Sequence, residues 1–258
     1  MTNDRYQFIL STVVSAGDLL LKERDKNFTV SIKEGDYRNL VTSVDIEVDS
    51  FIKKSVQAAY PSEAIYSEES AEKGSSQKDS FWSIDPIDGT SNFSRGIPHF
   101  AVCLGFVENG VCVSGAVYNP VTKDLFSFEK GKGAFLNGNL IKVSGIKTLK
   151  DAYVLLHIGR PQELRQWGID LQKKLLESAK KTINLSSSAL DLCYVACGRV
   201  DATVYGTLTT IDCAPAIGIL REALGEIYDA SGKPALLAEG AQKIFATSSK
   251  ELFDQITL

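Results

Sequence analysis

One run of the chain constrains the fold more than any other. The stretch Phe81-Trp82-Ser83-Ile84 leads without a break into Asp85-Pro86-Ile87-Asp88-Gly89-Thr90-Ser91-Asn92-Phe93. Its aromatic and β-branched first half reads as a strand, so two carboxylates arrive together at a strand end. Pro86 fixes one backbone dihedral between them, and aspartates spaced this way can turn their oxygens toward one point. Carboxylates held so close repel unless they are protonated or neutralised by a cation. The run is therefore a candidate site for a hard divalent ion, which takes oxygen ligands. Gly89 and Thr90 then open a short helix whose backbone N–H groups would face outward as a cradle for an anion. Asp-Gly alone is a common turn pair and Asp a common helix cap, but two acids flanking a proline exceed what a turn requires.

Composition narrows the chemistry further. The 258 residues carry 32 acidic and 28 basic side chains, a net charge of −4, with no basic run dense enough for nucleic acid to be the main ligand. No apolar stretch approaches the roughly 20 residues of a membrane span. The start, MTNDRYQFIL, lacks the pattern of a signal peptide, so a cytoplasmic protein without membrane contact is expected. Cys103, Cys112, Cys193, Cys197 and Cys213 contain no C-x-x-C pair and sit in apolar stretches such as AVCLGF, which reads as buried thiols. With only His99 and His157 available, hydrolytic chemistry must rest on carboxylates, hydroxyls and oxygen-loving metals.

Periodicity orders the rest. Phe8, Ile9, Val13, Ala16, Leu19 and Leu20 recur at helical spacing in the first 24 residues, and Val48, Phe51, Ile52 and Val56 mark a second helix from about Asp45 to before Pro61. Residues 67–80 form the most polar stretch and read as a loop, and 81–145 read as an antiparallel sheet punctuated by turns such as Asn137-Gly138. The second half alternates strand-like AYVLLHIG and VDATVY with helical LRQWGIDLQKKLLESAKK, SALDLCYVACG and APAIGILREALG, and closes on a strand and helix at KIFATSSKELFDQI. This order suggests one domain of two intimate lobes, an α+β lobe over about 1–145 and an α/β lobe over about 146–258.

Further acids are ambiguous singly. Glu68 and Glu69 follow the apolar Ala64-Ile65-Tyr66, where an acidic pair is commonly solvated surface; Asp212, ahead of Pro215 and an apolar helix, and Asp45 each suit a helix cap.

Taken together, these segments resemble the inositol monophosphatase family of magnesium-dependent, lithium-sensitive phosphatases. The resemblance begins at Ala16-Gly17 and LVTSVD (Leu40 to Asp45), and runs through SEES (Ser67 to Ser70) and WSIDPIDGTSNFSRGIPHFAVCLGF (Trp82 to Phe106). It resumes at GKGAFLNG (Gly131 to Gly138), ALDLCYVACGRVDA (Ala189 to Ala202) and IDCAPAIGILREALG (Ile211 to Gly225). It implies a layered αβαβα sandwich, a homodimer, and two or three Mg²⁺ ions, with Mn²⁺ as a substitute and Li⁺ as an inhibitor. Glu68, Asp85, Asp88, Asp212 and the Ile87 carbonyl would hold the metal. Gly89 and Thr90 would hold phosphate through backbone N–H groups, and Asp45, Thr90 and Glu68 would activate water. Asp88, Ser186, Ser187, Ser188, Tyr205 and Asp212 fall where family members contact substrate.

Three departures stand out. Tyr205 occupies the position where many members carry a Glu that accepts two polyol hydroxyls, which a phenol cannot repeat. Ile211 replaces a common Trp before Asp212. The segment with Lys33, Glu34 and Asp36 is about a residue longer than in inositol-specific members, so lithium sensitivity stays open. The expected activity is hydrolysis of a small phosphorylated metabolite, by default inositol 1-phosphate. Histidinol phosphate, fructose 1,6-bisphosphate, a nucleotide 3′-phosphate and NADP-type phosphates are alternatives. The competing class is a regulatory or scaffold protein that keeps the fold without catalysis.

Overall fold

Two amphipathic helices define the outermost layer. Helix α1 (Asp4–Arg24) buries Ile9, Val13, Ala16, Gly17 and Leu20 along one stripe, and helix α2 (Ser43–Ala59) buries Val44, Val48, Ile52 and Val56. Helix α2 starts at a reciprocal cap: the Thr42 hydroxyl accepts from Asp45 N–H, and the Asp45 carboxylate accepts from Thr42 N–H at 2.8 Å. Thr42 also ends a short antiparallel ribbon of β1 (Val30–Ile32) and β2 (Leu40–Thr42). The computed structural model describes residues 4–32, 40–69, 78–159 and 161–257. Lys33, Glu34, Asp36 and Ser70 lie outside the described residues.

Both helices pack on a sheet that runs in the order β3 (Ala64–Ser67), β4 (Ser80–Asp88), β5 (Ala101–Glu108), β6 (Val111–Asn119), β7 (Asp124–Glu129), β8 (Ala134–Leu136) and β9 (Asn139–Ile141). From β4 onward it is antiparallel, as read from the sequence, while β3 adds a parallel edge to β4. Strand alternation separates its faces. Trp82, Ile84, Val102, Leu104 and Phe106 meet α1 and α2, whereas Phe81, Ala101, Cys103, Val107 and Val117 face inward.

A second sheet has the order β11 (Lys181–Ile183), β10 (Tyr153–His157), β12 (Ala202–Thr209), β14 (Ala241–Thr247) and β13 (Glu226–Asp229). Helices α5 (Ser188–Ala196) and α6 (Ala214–Glu222) fill the space between the sheets and are apolar nearly all round. Helices α4 (Arg165–Ser178) and α7 (Lys250–Thr257) cover the far side. The chain is thus the expected αβαβα sandwich. The sequence reading misses β1, β2 and β3, and in the second sheet two further strands escape it. The sequence predicts a helix on to Lys181, but α4 stops at Ser178 and the β-branched Thr182 and Ile183 pair with β10. Glu226–Asp229 pairs with β14. Four of the five cysteines are buried and all are free thiols. Burial pushes Cys112 up to about 12 and raises the others as well. No helix among the described residues is long and apolar enough to cross a membrane.

Close packing by glycine fixes where α6 begins. Gly105 and Gly115 are cross-strand partners in β5 and β6, and Pro215 sits over them, so a Cβ on Gly115 would stand 2.7 Å from the Pro215 Cβ. The slot sets the start of α6, and with it Asp212, against the inner face of the large sheet. Gly115→Ala is expected to lower stability by about 1–3 kcal/mol through overpacking. Gly240→Ala, which meets nothing within 4 Å, should stay within about 0.5 kcal/mol. Urea denaturation of both variants checks this, and equal midpoints would contradict the slot.

Candidate active site

The strand end at Asp85 is built by a bulge. Asp85 pairs with Cys103 and Asp88 with Ala101, so β4 spends Pro86 and Ile87 where β5 spends only Val102. In a regular strand, residues three apart point to opposite faces. The extra residue cancels that parity and turns both aspartates to the inner face, shared with Ala101 and Cys103, while Ile87 packs outward among α1 and α2. Gly89 follows at φ +91°, and a Cβ there would lie 3.1 Å from the His99 carbonyl. It leads into the short helix α3 (Thr90–Ser94).

These elements frame a cavity of about 820 Å³. Glu68, Asp85, Ile87, Asp88, Gly89, Thr90, Ser186, Ser188, Tyr205 and Asp212 all line it. Asp45 and Ser187 do not, but each touches a residue that does. Asp45 is fully buried. Thr90 Oγ1 lies 3.1 Å from Asp45 Oδ1 and 3.0 Å from the Ile87 carbonyl, and its single proton can serve one of them at a time. The capping box of α2 thereby holds the carboxylate that meets Thr90.

Asp88 behaves differently from the expectation that it and Asp85 aim at one ion. Its Oδ1 accepts from Ser188 N–H at 3.1 Å and from Ser188 Oγ at 2.6 Å, and its Oδ2 accepts from Ala189 N–H at 3.0 Å and from the Ser187 hydroxyl. The physical reason is that the start of α5 needs acceptors for its unpaired N–H groups, and a carboxylate suits the positive end of a helix. Burial pushes the Asp88 carboxyl above its ordinary value, while the donors from Ser187, Ser188 and Ala189 pull it back down. Ser187, expected at the substrate, is 1% exposed and gives its hydroxyl to Asp88. The Ser186 hydroxyl donates to Asn184 Oδ1 at 2.8 Å.

Asp85 is only 4% exposed. Burial raises its carboxyl well above the carboxylate range, and the charges of Glu68, Asp88, Asp212 and Asp45 raise it further. Among the described residues, no three acidic, histidine or cysteine side chains already stand close enough to cage a metal ion. The donor set nevertheless fits Mg²⁺: it is oxygen only, and this ion keeps several waters and needs few protein carboxylates. A cation would relieve the repulsion concentrated on Asp85.

Sequence reasoning missed three participants. Tyr66 approaches Asp212, and burial together with that carboxylate raises its phenol. Ser83 Oγ donates to the Ile211 carbonyl at 2.7 Å, tying β4 to the segment before α6. Asp191, fully buried in α5, gathers both histidines and Tyr205. An acid in the first turn of an otherwise apolar helix was the available signal for the last.

Sandwich and site together define the class of phosphatase-like α/β sandwiches with a carboxylate-rich cleft between two sheets. A sequence model of the inositol monophosphatase family matches residues 3–257, and the chain belongs to that family of phosphatases. A fructose-1,6-bisphosphatase/inositol-1-monophosphatase of Thermotoga maritima is 33% identical over 98% of this chain and 94% of its own length. The Nus factor SuhB of Xylella fastidiosa is 35% identical over 86% of this chain and 80% of its own. The solved structure of an extragenic suppressor protein suhB from Bartonella henselae superposes with a TM-score of 0.90 at 27% identity, covering 98% of this chain and 97% of that one.

The field at Asp85 has a thermodynamic signature. A carboxyl with a raised folded pKa holds its proton more tightly folded than unfolded, so stability falls as pH climbs from the ordinary carboxylate range through the folded value. Asp85→Asn removes that cost and keeps an oxygen for the Ile87 N–H, which lies 3.0 Å from Oδ1. In EDTA at pH 7.5 the variant should melt above the parent, with the gap closing as pH falls toward 4. A variant that melts lower at neutral pH would contradict the repulsion.

Proposed function

We propose that the chain is a Mg²⁺-dependent phosphomonoesterase acting on a small phosphorylated metabolite, with inositol 1-phosphate as the default substrate. The observation that carries the reading is the Thr90–Asp45 hydroxyl–carboxylate contact beside Asp85, in the cavity that also holds Glu68 and Asp212. A scaffold needs packing at this place, not a threonine hydroxyl facing a buried carboxylate.

Glu68, Asp85, Asp212 and the Ile87 carbonyl would hold the metal, with Asp88 joining if it exchanges one of its donors from α5. When bound, Mg²⁺ supplies positive charge that offsets the phosphate, draws electron density from the phosphoryl group and makes water more acidic. The chain's own groups do the rest. Gly89 and Thr90 line the cavity at the start of α3 and would receive phosphate oxygens. Thr90 Oγ1, donating its proton toward Asp45 Oδ1, keeps lone pairs that accept a hydrogen bond from water and aim it at phosphorus. Glu68, exposed in the cavity, would take the second water hydrogen bond. As the water oxygen bonds to phosphorus, the ester P–O bond breaks and the alcohol leaves carrying a proton. Neither a histidine nor a covalent nucleophile is needed at this step. Relatives of this chain carry the name Nus factor SuhB; failure of the wild-type chain to release phosphate from any of the substrates below would favour the regulatory reading.

Assays against inositol 1-phosphate, histidinol phosphate, fructose 1,6-bisphosphate, a nucleotide 3′-phosphate and NADP test the reading. Phosphate release should vanish in EDTA, return with Mg²⁺ or Mn²⁺, and fall with Ca²⁺. Thr90→Ala should lower turnover by about a hundredfold or more with the circular dichroism spectrum unchanged. Chelator-resistant release, or near-normal turnover in Thr90→Ala, would overturn the mechanism.

A further inference from the structure

A second polar network, built on Asp191, reaches the lining of the same cavity through His157 and Tyr205. Both histidines aim Nε2 at Asp191: His99 reaches Oδ1 at 3.0 Å and His157 reaches Oδ2 at 2.7 Å. The His157 contact is a close approach rather than an aligned hydrogen bond, and Tyr205 Oη donates to the same oxygen at 2.6 Å. Asp191 has no exposure. Burial pushes its carboxyl up, but the bonds from His157, His99 and Tyr205 outweigh this and hold it low, so a fixed negative charge faces the imidazoles from inside.

His157 and Tyr205 are direct partners in the parallel register of β10 and β12. Their rings stack 4.4 Å apart at 3°, and both line the cavity that holds Asp88 and Thr90. Tyr205 spends its only proton on Asp191, which leaves the phenol no donor for a ligand. The two nitrogens of His157 differ. Nε2 is buried against Asp191, so in the neutral ring it carries the proton. Nδ1 then bears a lone pair and makes no hydrogen bond among the described residues, and since Nε2 is buried, the 12% of the side chain that is exposed lies elsewhere on the residue.

We propose that His157 Nδ1 is the acceptor that reads the alcohol part of the substrate, with Asp191 and Tyr205 as the positioning residues that set its tautomer and ring plane. This rests on the phosphomonoesterase reading and deepens it. A carboxylate on this wall would accept two neighbouring hydroxyls; an imidazole accepts one. The substrate class is therefore a phosphate monoester whose alcohol offers one well-placed hydroxyl to Nδ1, the rest of it lying against the stacked rings.

His157→Phe keeps a ring for Tyr205 and removes the acceptor. The ratio of kcat/KM for inositol 1-phosphate or glycerol 2-phosphate to that for phenyl phosphate, which has no second hydroxyl, should fall about tenfold, the worth of one hydrogen bond, mainly through KM. An unchanged ratio overturns the proposal, even if both rates drop. A second measurement needs neither turnover nor a folded variant. With only two histidines in the chain, the wild-type imidazole ¹⁵N spectrum should show His157 as the Nε2–H tautomer, which is the signature of Asp191 acting on it. Glycerol 2-phosphate with Mg²⁺ should move its Nδ1 resonance while His99 stays still, and phenyl phosphate should leave Nδ1 in place. A static Nδ1 resonance with bound glycerol 2-phosphate, or an Nδ1–H tautomer, overturns it. A chain that hydrolyses nothing in the substrate panel counts against the phosphatase reading, and the titration still decides the contact.

Discussion

The one-residue bulge at Pro86 is the constraint on which the site depends. It alone puts Asp85 and Asp88 on the same face of β4, and Glu68, Asp212 and, through Thr90, Asp45 approach the cavity that this face lines. The capping box at Thr42 presents Asp45 to Thr90. The glycine slot under Pro215 and the Ser83 bond to Ile211 bring Asp212 up to the same sheet from the other half of the chain. Remove the bulge and Asp88 would turn outward into the layer occupied by Ile87 and α2, where no donor from α5 could reach it.

Placing this much negative charge in a buried cleft costs stability, and the fold offsets the cost unequally. Asp88 receives four donors from the start of α5, Asp45 receives the Thr42 cap, and Asp191 receives two imidazoles and a phenol. Asp85 accepts the Ile87 N–H but also feels the charges of Glu68, Asp88, Asp212 and Asp45, and with burial these raise its carboxyl well above the ordinary range. The strain of the site is thus concentrated on the residue that points into the cavity beside Glu68 and Asp212. A cation bound there would relieve that repulsion and return stability.

Much of the sandwich was legible because period and punctuation are local. Helix α2 begins within two residues of its expected start, and the meander after β4 follows its turn residues. Lys181–Ile183 and Glu226–Asp229 were not legible, because three- and four-residue strands are decided by the neighbouring strand that accepts them rather than by their own pattern. The acidic constellation could be read at Asp85 and Asp88 from one continuous run, and elsewhere only through family resemblance. The use of Ser187 and Asp88 by α5 could not be read at all, since it depends on residues about a hundred positions apart meeting at a helix end. Asp191 escaped for the same reason: its partners come from three separate strands and loops.

The two ends of the cavity are therefore specified by different means. Around Asp85, backbone devices hold the acids: a bulge, a cap, a left-handed glycine and a helix terminus. At the other end, His157 and Tyr205 stand on neighbouring strands whose pairing would survive other side chains, and their chemistry is set by one buried acid in α5. On the proposed reading, a change of side chain there would alter which alcohol is accepted while leaving the arrangement around Asp85 intact. This is the physical reason the side chain at Tyr205 could vary without disturbing the carboxylates around Asp85.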